Sequence, residues 1–314
     1  MQQWTVTEPW LDAQCALAEG PFYEKASDSL RFVDIKKKQI CWVRQVSAGD
    51  RRTRIPKDAI ERIQLDVSAG VTADIEDMNP AEEILVGLKH GLAILDCKTH
   101  EYELLAPFND EYGPSSDRLR ANDGAADPAG NFWLGTMTDF GLGPFKPEGS
   151  LYRFSGDGAK TTVLPDVTIP NGIGWSPDQR IMYFTHSPTR EVFAFDYDAA
   201  SSNISNKRLF YKHSGTAEPD GMRVDVQGHI WQAFYGEGMV LRINPEGQVV
   251  GKISLPTKNI TCVQFVGDDL VITSAADDGE ADSNWPESAR LGGALFRVEV
   301  GVKGLDLFPF KLRL

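Results

Sequence analysis

The sequence predicts an all-β chain: a six-bladed β-propeller with four antiparallel strands per blade and a metal ion in its central channel. Three observations carry this. A short phrase, an oxygen-bearing side chain followed by glycine and an apolar stretch, occurs as Glu19-Gly20-Pro21, Asn122-Asp123-Gly124, Asn171-Gly172-Ile173 and Asp220-Gly221-Met222. Asn122 to Asn171 is 49 residues and Asn171 to Asp220 is again 49, the mark of a repeat architecture. Between the phrases, short runs rich in aromatic and β-branched residues alternate with turn residues, and none is long enough for a helix.

The clearest unit starts at Asn171. Its opening Gly172-Ile173-Gly174-Trp175 meets a turn at Ser176-Pro177-Asp178, and strand-like runs follow at 181–185, 192–197 and 209–211, with a polar loop expected over 199–206. The next unit repeats this grammar, with a turn at 225–228 and runs at 229–233, 240–243 and 249–253. The preceding one has its turn at Asp127-Pro128-Ala129-Gly130 and runs at 131–135 and 150–154, joined by a long connection rich in Gly and Pro at 141–149 that reads as a site rim. Runs at 30–34 and 40–43, at 83–87 and 92–95, and at 262–265, 270–273 and 294–298 supply the remaining three units. Residues 1–314 therefore read as a single propeller domain. Trp4-Thr5-Val6 is expected to join the last blade and close the ring.

If every copy enters its blade at one place, Glu19, Asn122, Asn171 and Asp220 converge on the axis. Two carboxylates and two amides form an all-oxygen site for a hard divalent cation. A single Asn-Gly or Asp-Gly reads equally well as an ordinary turn, but four at one phase do not.

Composition bounds the partners. Of 314 residues, 41% are hydrophobic and 25% charged, and the net charge is -13. The longest basic run is Lys36-Lys37-Lys38, which argues against nucleic acid. Four dispersed cysteines without a CxxC exclude a zinc-thiolate site and a dense disulfide framework. No apolar run approaches membrane-spanning length, and Met1-Gln2-Gln3-Trp4 does not start like a secretory signal, so a cytoplasmic protein without a membrane partner, a monomer or weak homodimer, is expected. G-x-S-x-G, H-E-x-x-H and G-x-x-x-x-G-K are absent. His90, His100, His186, His213 and His229 show no metal-ligand spacing.

The chain resembles the family of sugar lactonases that includes the regucalcins and bacterial gluconolactonases. The residues carrying the resemblance run in order through most of the sequence: Ala18-Glu19-Gly20-Pro21, Phe32-Val33-Asp34-Ile35, Arg120-Ala121-Asn122-Asp123-Gly124, Asp127-Pro128-Ala129-Gly130, Gly135-Thr136-Met137, Asn171-Gly172 with Trp175-Ser176, Phe195-Asp196-Tyr197-Asp198, Pro219-Asp220-Gly221-Met222 and Gly292-Gly293-Ala294-Leu295-Phe296. The resemblance implies one divalent ion, calcium or zinc ahead of manganese or magnesium, on Glu19, Asn171 and Asp220, with Asn122 beside it. It implies that Arg120 and Asn122 hold the lactone or its hydroxyls, and that Asp220 is the general base. Arg120 enters only this way; alone it reads as a surface arginine.

Two departures stand out. After Gly-Thr-Met, where animal relatives carry acids, this chain has Thr138-Asp139-Phe140-Gly141: either Asp139 takes over the substrate contact, or Phe140 removes it and favours a less hydroxylated substrate. His186 stands before Ser187 where relatives often have an acid, which is expected to alter the charge near the channel.

The expected reaction is hydrolysis of a sugar lactone: the ion polarises the carbonyl, and Asp220 orients or deprotonates the attacking water. Direct ligation to a cation opposes a role as base. The alternatives are a calcium- or ligand-binding propeller without turnover, or an organophosphate or aryl-ester hydrolase at the same site. Arg120 separates a pure ion site, which has no use for it, from the others.

Overall fold

The structure is a computed structural model that describes residues 1–47, 54–108, 116–279 and 283–313. Its strands form six sheets around a ring. Blade one holds Ala18–Glu24, Ser29–Asp34, Gln39–Arg44 and Glu61–Gln64; blade two Ala69–Ala73, Glu83–Leu88, Gly91–Asp96 and Tyr102–Pro107. Blade three holds Leu119–Ala126, Phe132–Thr138, Gly149–Phe154 and Lys160–Val167; blade four Pro170–Trp175, Ile181–His186, Glu191–Asp198 and Asn203–Lys212. Blade five holds Glu218–Val224, Ile230–Tyr235, Met239–Ile243 and Val249–Ser254; blade six Ile260–Val266, Asp269–Ser274 and Phe296–Glu299. Within every blade, successive strands pair antiparallel, and the innermost strand of blade six packs against that of blade one.

The burial of each strand follows from its place. Ser29–Asp34 and Phe132–Thr138 are buried throughout, because neighbouring blades cover both faces, and so they read as continuous runs rather than alternating ones. Among the described residues, six apolar clusters lie between successive blades, from Val33, Ile40, Ile84 and Val86 between blades one and two to Leu30, Phe32, Val271 and Leu295 between blades six and one. The turns repeat as expected. Asp127 accepts from Asn131 N (2.8 Å) and Trp133 Nε1 (2.9 Å), and Asp225 accepts from His229 N (3.0 Å) and Trp231 Nε1 (3.0 Å). Gly130 and Gly228 supply the left-handed φ of +90° and +84° that closes each turn. A buried ion pair joins blades one and two: Arg31 meets Glu24, and its Nη2 and Nε reach Asp74 Oδ1 and Thr72 Oγ1, both at 2.8 Å.

Two expectations need correction. The N-terminal strand Gln2–Thr5 does not join the last blade; it pairs parallel with Val249–Ser254 on the outside of blade five, with Trp4 opposite Ile253. Trp4 lies over Gly251, where a Cβ would come within 2.9 Å of its ring, and against Trp231 at 5.4 Å between centroids. The segment that reaches blade six is Trp10-Leu11, whose amides donate to Leu295 O at 2.9 and 3.0 Å along the edge of that three-stranded sheet. The polar loop at 199–206 is shorter than expected, since the outermost strand of blade four begins at Asn203. That strand faces solvent, so polar side chains suit it, and Arg208 and Asn206 bind Asp196 across the pair.

The C-terminal residues cross the base of the ring, at the ends of the innermost strands. Leu305 N donates to Val224 O (2.9 Å), Phe310 N to Asp74 O (2.8 Å) and Lys311 N to Gly130 O (2.8 Å). Among the described residues, no helix is long and apolar enough to cross a membrane.

Candidate metal and substrate site

All six innermost strands break register at one level: between Glu19 and Phe22, Ala69 and Val71, Ala121 and Gly124, Asn171 and Ile173, Pro219 and Met222, and Ile260 and Val263. A bulge bends its strand and re-aims a side chain, and here it turns the phrase residues toward the axis. Glycine follows because the neighbouring strand is close: a Cβ on Gly221 would stand 2.2 Å from Cys262 Sγ. Glu19, Asn122, Asn171 and Asp220 thereby line one cavity of about 300 Å³, together with Arg120 and Ser187. That is the lower end of the range for small-molecule pockets.

Hydrogen bonds fix the two amides. Ser187 Oγ donates to Pro219 O (2.7 Å), so it accepts from Asn171 Nδ2 (2.8 Å), which leaves Asn171 Oδ1 on the channel side. Asn122 Nδ2 donates to Pro170 O (2.8 Å) and Asn171 Oδ1 (3.0 Å), and its Oδ1 accepts from Arg120 Nη1 (2.8 Å). Asn122 therefore stands beside the channel oxygens, joining them to Arg120.

The carboxylates are under electrostatic load. Glu19 and Asp220 are 6% and 7% exposed. Burial, then the charge of Asp123, pushes Glu19 up to about 8; burial, then Glu19, raises Asp220 well above the usual carboxylate range. Asp220 Oδ1 is buried without a hydrogen-bond partner. Arg120, read alone as a surface residue, is 2% exposed, and burial lowers it to about 10. Its Nη1 also donates to Ala121 O (2.7 Å), the Phe140 ring centre lies 4.3 Å from Cζ, and Nε is buried without a hydrogen-bond partner, 4.0 Å from Asp139 Oδ1.

Asp139 stands behind this wall. Its Oδ2 accepts from Lys89 Nζ (2.6 Å) and its Oδ1 from Phe140 N (2.8 Å), 4.0 Å from Arg120 Nε, while Phe140 itself lines the cavity. His186 turns away: its Nε2 accepts from Thr168 N (3.3 Å), and burial, then Lys207, lowers its proton affinity, so it brings no positive charge to the channel at neutral pH.

Known proteins place the chain. Residues 17–276 match the family described as "SMP-30/Gluconolactonase/LRE-like region". The chain belongs to that family. It is similar to regucalcin of Bos taurus (33% identical over 307 residues, 96% of each chain) and to pentonolactonase XacC of Haloferax volcanii (30% identical over 314 residues, 97% of this chain and 98% of the other). Among solved structures it resembles a regucalcin from Agrobacterium tumefaciens, described as a calcium-binding protein, with a TM-score of 0.83 and 25% identity over the whole of both chains. The matched region begins two residues before Glu19 and so takes in all four phrases of this SMP-30/gluconolactonase-like chain.

Sequence reasoning missed Ser187, Met137, Phe145 and Tyr235, all of which line the cavity. Phe145 lies in the long 141–149 connection, whose length marked a rim. Ser187 had no local signal, because its partners Asn171 and Pro219 lie 16 and 32 residues away.

Proposed function

We propose that the protein hydrolyses a sugar lactone to the hydroxy acid, with a divalent cation held by Glu19, Asn171 and Asp220 and with Asn122 beside it. The observation that carries this is Asp220 Oδ1, an acceptor buried without a hydrogen-bond partner on a residue that lines the cavity. A buried acceptor of this kind calls for a partner, and a ligand in the cavity supplies one. The donor chemistry fits a cation, since Glu19, loaded by burial and Asp123, and Asp220, loaded by burial and Glu19, are buried carboxylates that a positive charge beside them stabilises. Among the described residues no group of three or more His, Cys, Asp or Glu side chains is arranged to hold a metal ion, so amide oxygen completes the set of Glu19 and Asp220. An all-oxygen set suits a hard ion, and the calcium-binding description of the Agrobacterium regucalcin agrees. Zinc, manganese and magnesium are the competitors to test.

When bound there, a divalent ion supplies Lewis acidity to the lactone carbonyl. The chain's own residues do the rest. Arg120 brings its positive charge to the cavity wall for an oxygen of the substrate, held in place by Ala121 O, Asn122 Oδ1 and the Phe140 ring. Asp220 orients a water toward the carbonyl carbon or takes its proton, and returns a proton to the ring oxygen as the C–O bond breaks. The lactonase names among the relatives support the reaction class.

The test is a panel of aldonolactones, aryl esters and an organophosphate, with calcium, zinc, manganese or magnesium each supplied to metal-free protein. Cation-dependent opening of an aldonolactone is expected. Turnover of the other esters alone, or cation binding without any turnover, overturns the proposal in favour of the aryl-ester reading or the binding-only reading.

A further inference from the structure

We infer that the lactone this cavity takes carries a carboxylate at its exocyclic end, as the monolactone of a sugar diacid does, and that Lys36 at the mouth binds it. This deepens the lactonase reading and rests on it.

Lys36 opens the run of three lysines in the turn between the second and third strands of blade one. The three side chains part company. Lys37 Nζ donates to Gln14 O and stands 3.9 Å from Asp34 Oδ2, and Lys38 Nζ donates to Asp66 O (2.8 Å). Asp34 is itself taken up by the amides of Ala16 (2.8 Å) and Leu17 (3.1 Å). Of the three, Lys36 lines the cavity: it is exposed, and its Nζ lies 5.6 Å from the centre of the Phe140 ring. Among the described residues no carboxylate pairs with it. An aromatic face steadies a cation only weakly at an exposed site. A carboxylate that meets Lys36 therefore gains a charge-assisted hydrogen bond without breaking an ion pair. A single ammonium suits the single charge of a carboxylate better than a phosphate, which gathers several donors.

The charges around the mouth point the same way. Glu19 and Asp220 are answered by the cation when it is bound. Asp139 is held by Lys89 Nζ at 2.6 Å, and Glu218 has the positive charge of Arg190 near it. Asp277 holds Lys258 Nζ at 3.1 Å, and the exposed Asp278 follows the second strand of blade six, across the ring from blade three. Arg120 and Lys36 are left, both against the Phe140 ring, and a substrate carboxylate balances them. Arg120 acts from the buried wall through its charge, without direct contact. Blade two supplies no lining residue, so Lys36 reaches toward blade three from blade one, while Glu218 and Tyr235 belong to blade five, opposite blade two. A lactone with its carbonyl at the oxygen set can thus turn an acidic end to Lys36 and its ring hydroxyls to Glu218 and Tyr235.

The experiment uses three lactones of the same ring size and stereochemistry that differ only in the exocyclic group: carboxylate, hydroxymethyl or phosphorylated hydroxymethyl. Free cation is held constant, because a carboxylate also binds it. The wild type, Lys36→Met, Lys36→Glu and Lys36→Arg are compared by the ratio of kcat/KM between lactones. The wild type is expected to favour the carboxylate over hydroxymethyl by about fivefold or more, the upper end of what one exposed ion pair supplies. Lys36→Met should bring that ratio toward one, Lys36→Glu below one, and Lys36→Arg should keep it; added salt should lower it in the wild type. The corresponding lactams, which keep ring and carbonyl but resist hydrolysis, are titrated calorimetrically and should bind in the same order. Equal or better handling of the hydroxymethyl lactone by the wild type overturns the inference and leaves the lactonase reading intact. A ratio unchanged in both Lys36→Met and Lys36→Glu overturns it too, as does a preference for the phosphorylated lactone over the carboxylate. If no lactone is opened, the lactams decide. Tighter binding of the carboxylated lactam that Lys36→Met abolishes leaves the pocket preference standing while the lactonase reading falls, and absence of that binding sinks both.

Discussion

Asn122 donates from Nδ2 to Asn171 Oδ1 across 3.0 Å, so an innermost strand of blade three holds the channel-facing oxygen of blade four. The other end of Asn171 is held by Ser187 Oγ at 2.8 Å. Ser187→Ala frees the Asn171 amide to turn. Removing such a supporting hydrogen bond costs about 10–100-fold in metal affinity or activity, so calorimetry should show cation binding weakened by about tenfold, with rescue in Ser187→Thr. Unchanged affinity in Ser187→Ala would show that the amide is held by other contacts.

Removing the cation should stop turnover and spare the fold. The apolar clusters lie between the blades, not at the axis. A chelator is expected to abolish lactone opening while far-UV circular dichroism stays constant. Loss of the β signal would show instead that the channel needs its ion to stand.

Arg120→Ala should act on the substrate more than on the ion. Arg120 touches neither Glu19 nor Asp220 by hydrogen bond, and reaches Asn171 only through Asn122. KM for the lactone is expected to rise by about tenfold or more, the loss expected when a charged donor is removed, with calorimetric cation affinity changed far less. A variant that no longer binds the cation would make Arg120 part of the ion site.

Asp220→Asn and Asn171→Ala separate ligand from base. At saturating cation, Asn171→Ala loses a neutral oxygen that water can replace, and should retain measurable turnover. Asp220→Asn keeps an oxygen of similar size but loses the charge and the proton acceptor, and kcat should fall by roughly two to four orders of magnitude. Equal activity of the two would leave Asp220 as a ligand alone.

Arg31→Ala tests the joint between blades one and two. It leaves the buried Glu24 with Trp42 Nε1 at 3.0 Å, Ser27 Oγ at 2.8 Å and, of the cations, only Arg44 Nη1 at 4.0 Å among the described residues. Breaking a buried pair from one side costs about 3–5 kcal/mol, read as a drop in the urea midpoint. A drop under about 1 kcal/mol would mean that water reaches Glu24.

The ring was legible because its signal is local and repeated: each blade restates a turn, a few apolar strands and a glycine behind an oxygen ligand. Glu19, Asn122, Asn171 and Asp220 could be chosen for that reason alone. Arg120 could not, since an arginine on an innermost strand has no distinctive neighbours; only the family likeness raised it. Ser187 and Lys89 act on partners far away in sequence, and their roles exist only once the blades have closed. Trp4 was misplaced because the ring had to close somewhere and a strand-like N-terminus was the nearest candidate. The complementary sign, Gly251 leaving room for its indole, lies almost 250 residues away.

The bulge at the same level of all six innermost strands makes the channel a ring of six sockets, of which four are fitted with channel-facing Asp, Glu or Asn side chains. The two remaining sockets differ. At Gly70 a Cβ would stand 2.3 Å from Asn122 O, so that socket is sealed by its neighbour's backbone. At blade six it holds Thr261, whose hydroxyl donates to Ala18 O at 2.6 Å. The backbone thus fixes where a donor could stand, and side-chain choice decides how many do. Within this frame, the charge of the ring can be retuned at blade six without redrawing a strand, and blade two will stay silent whatever is asked of it.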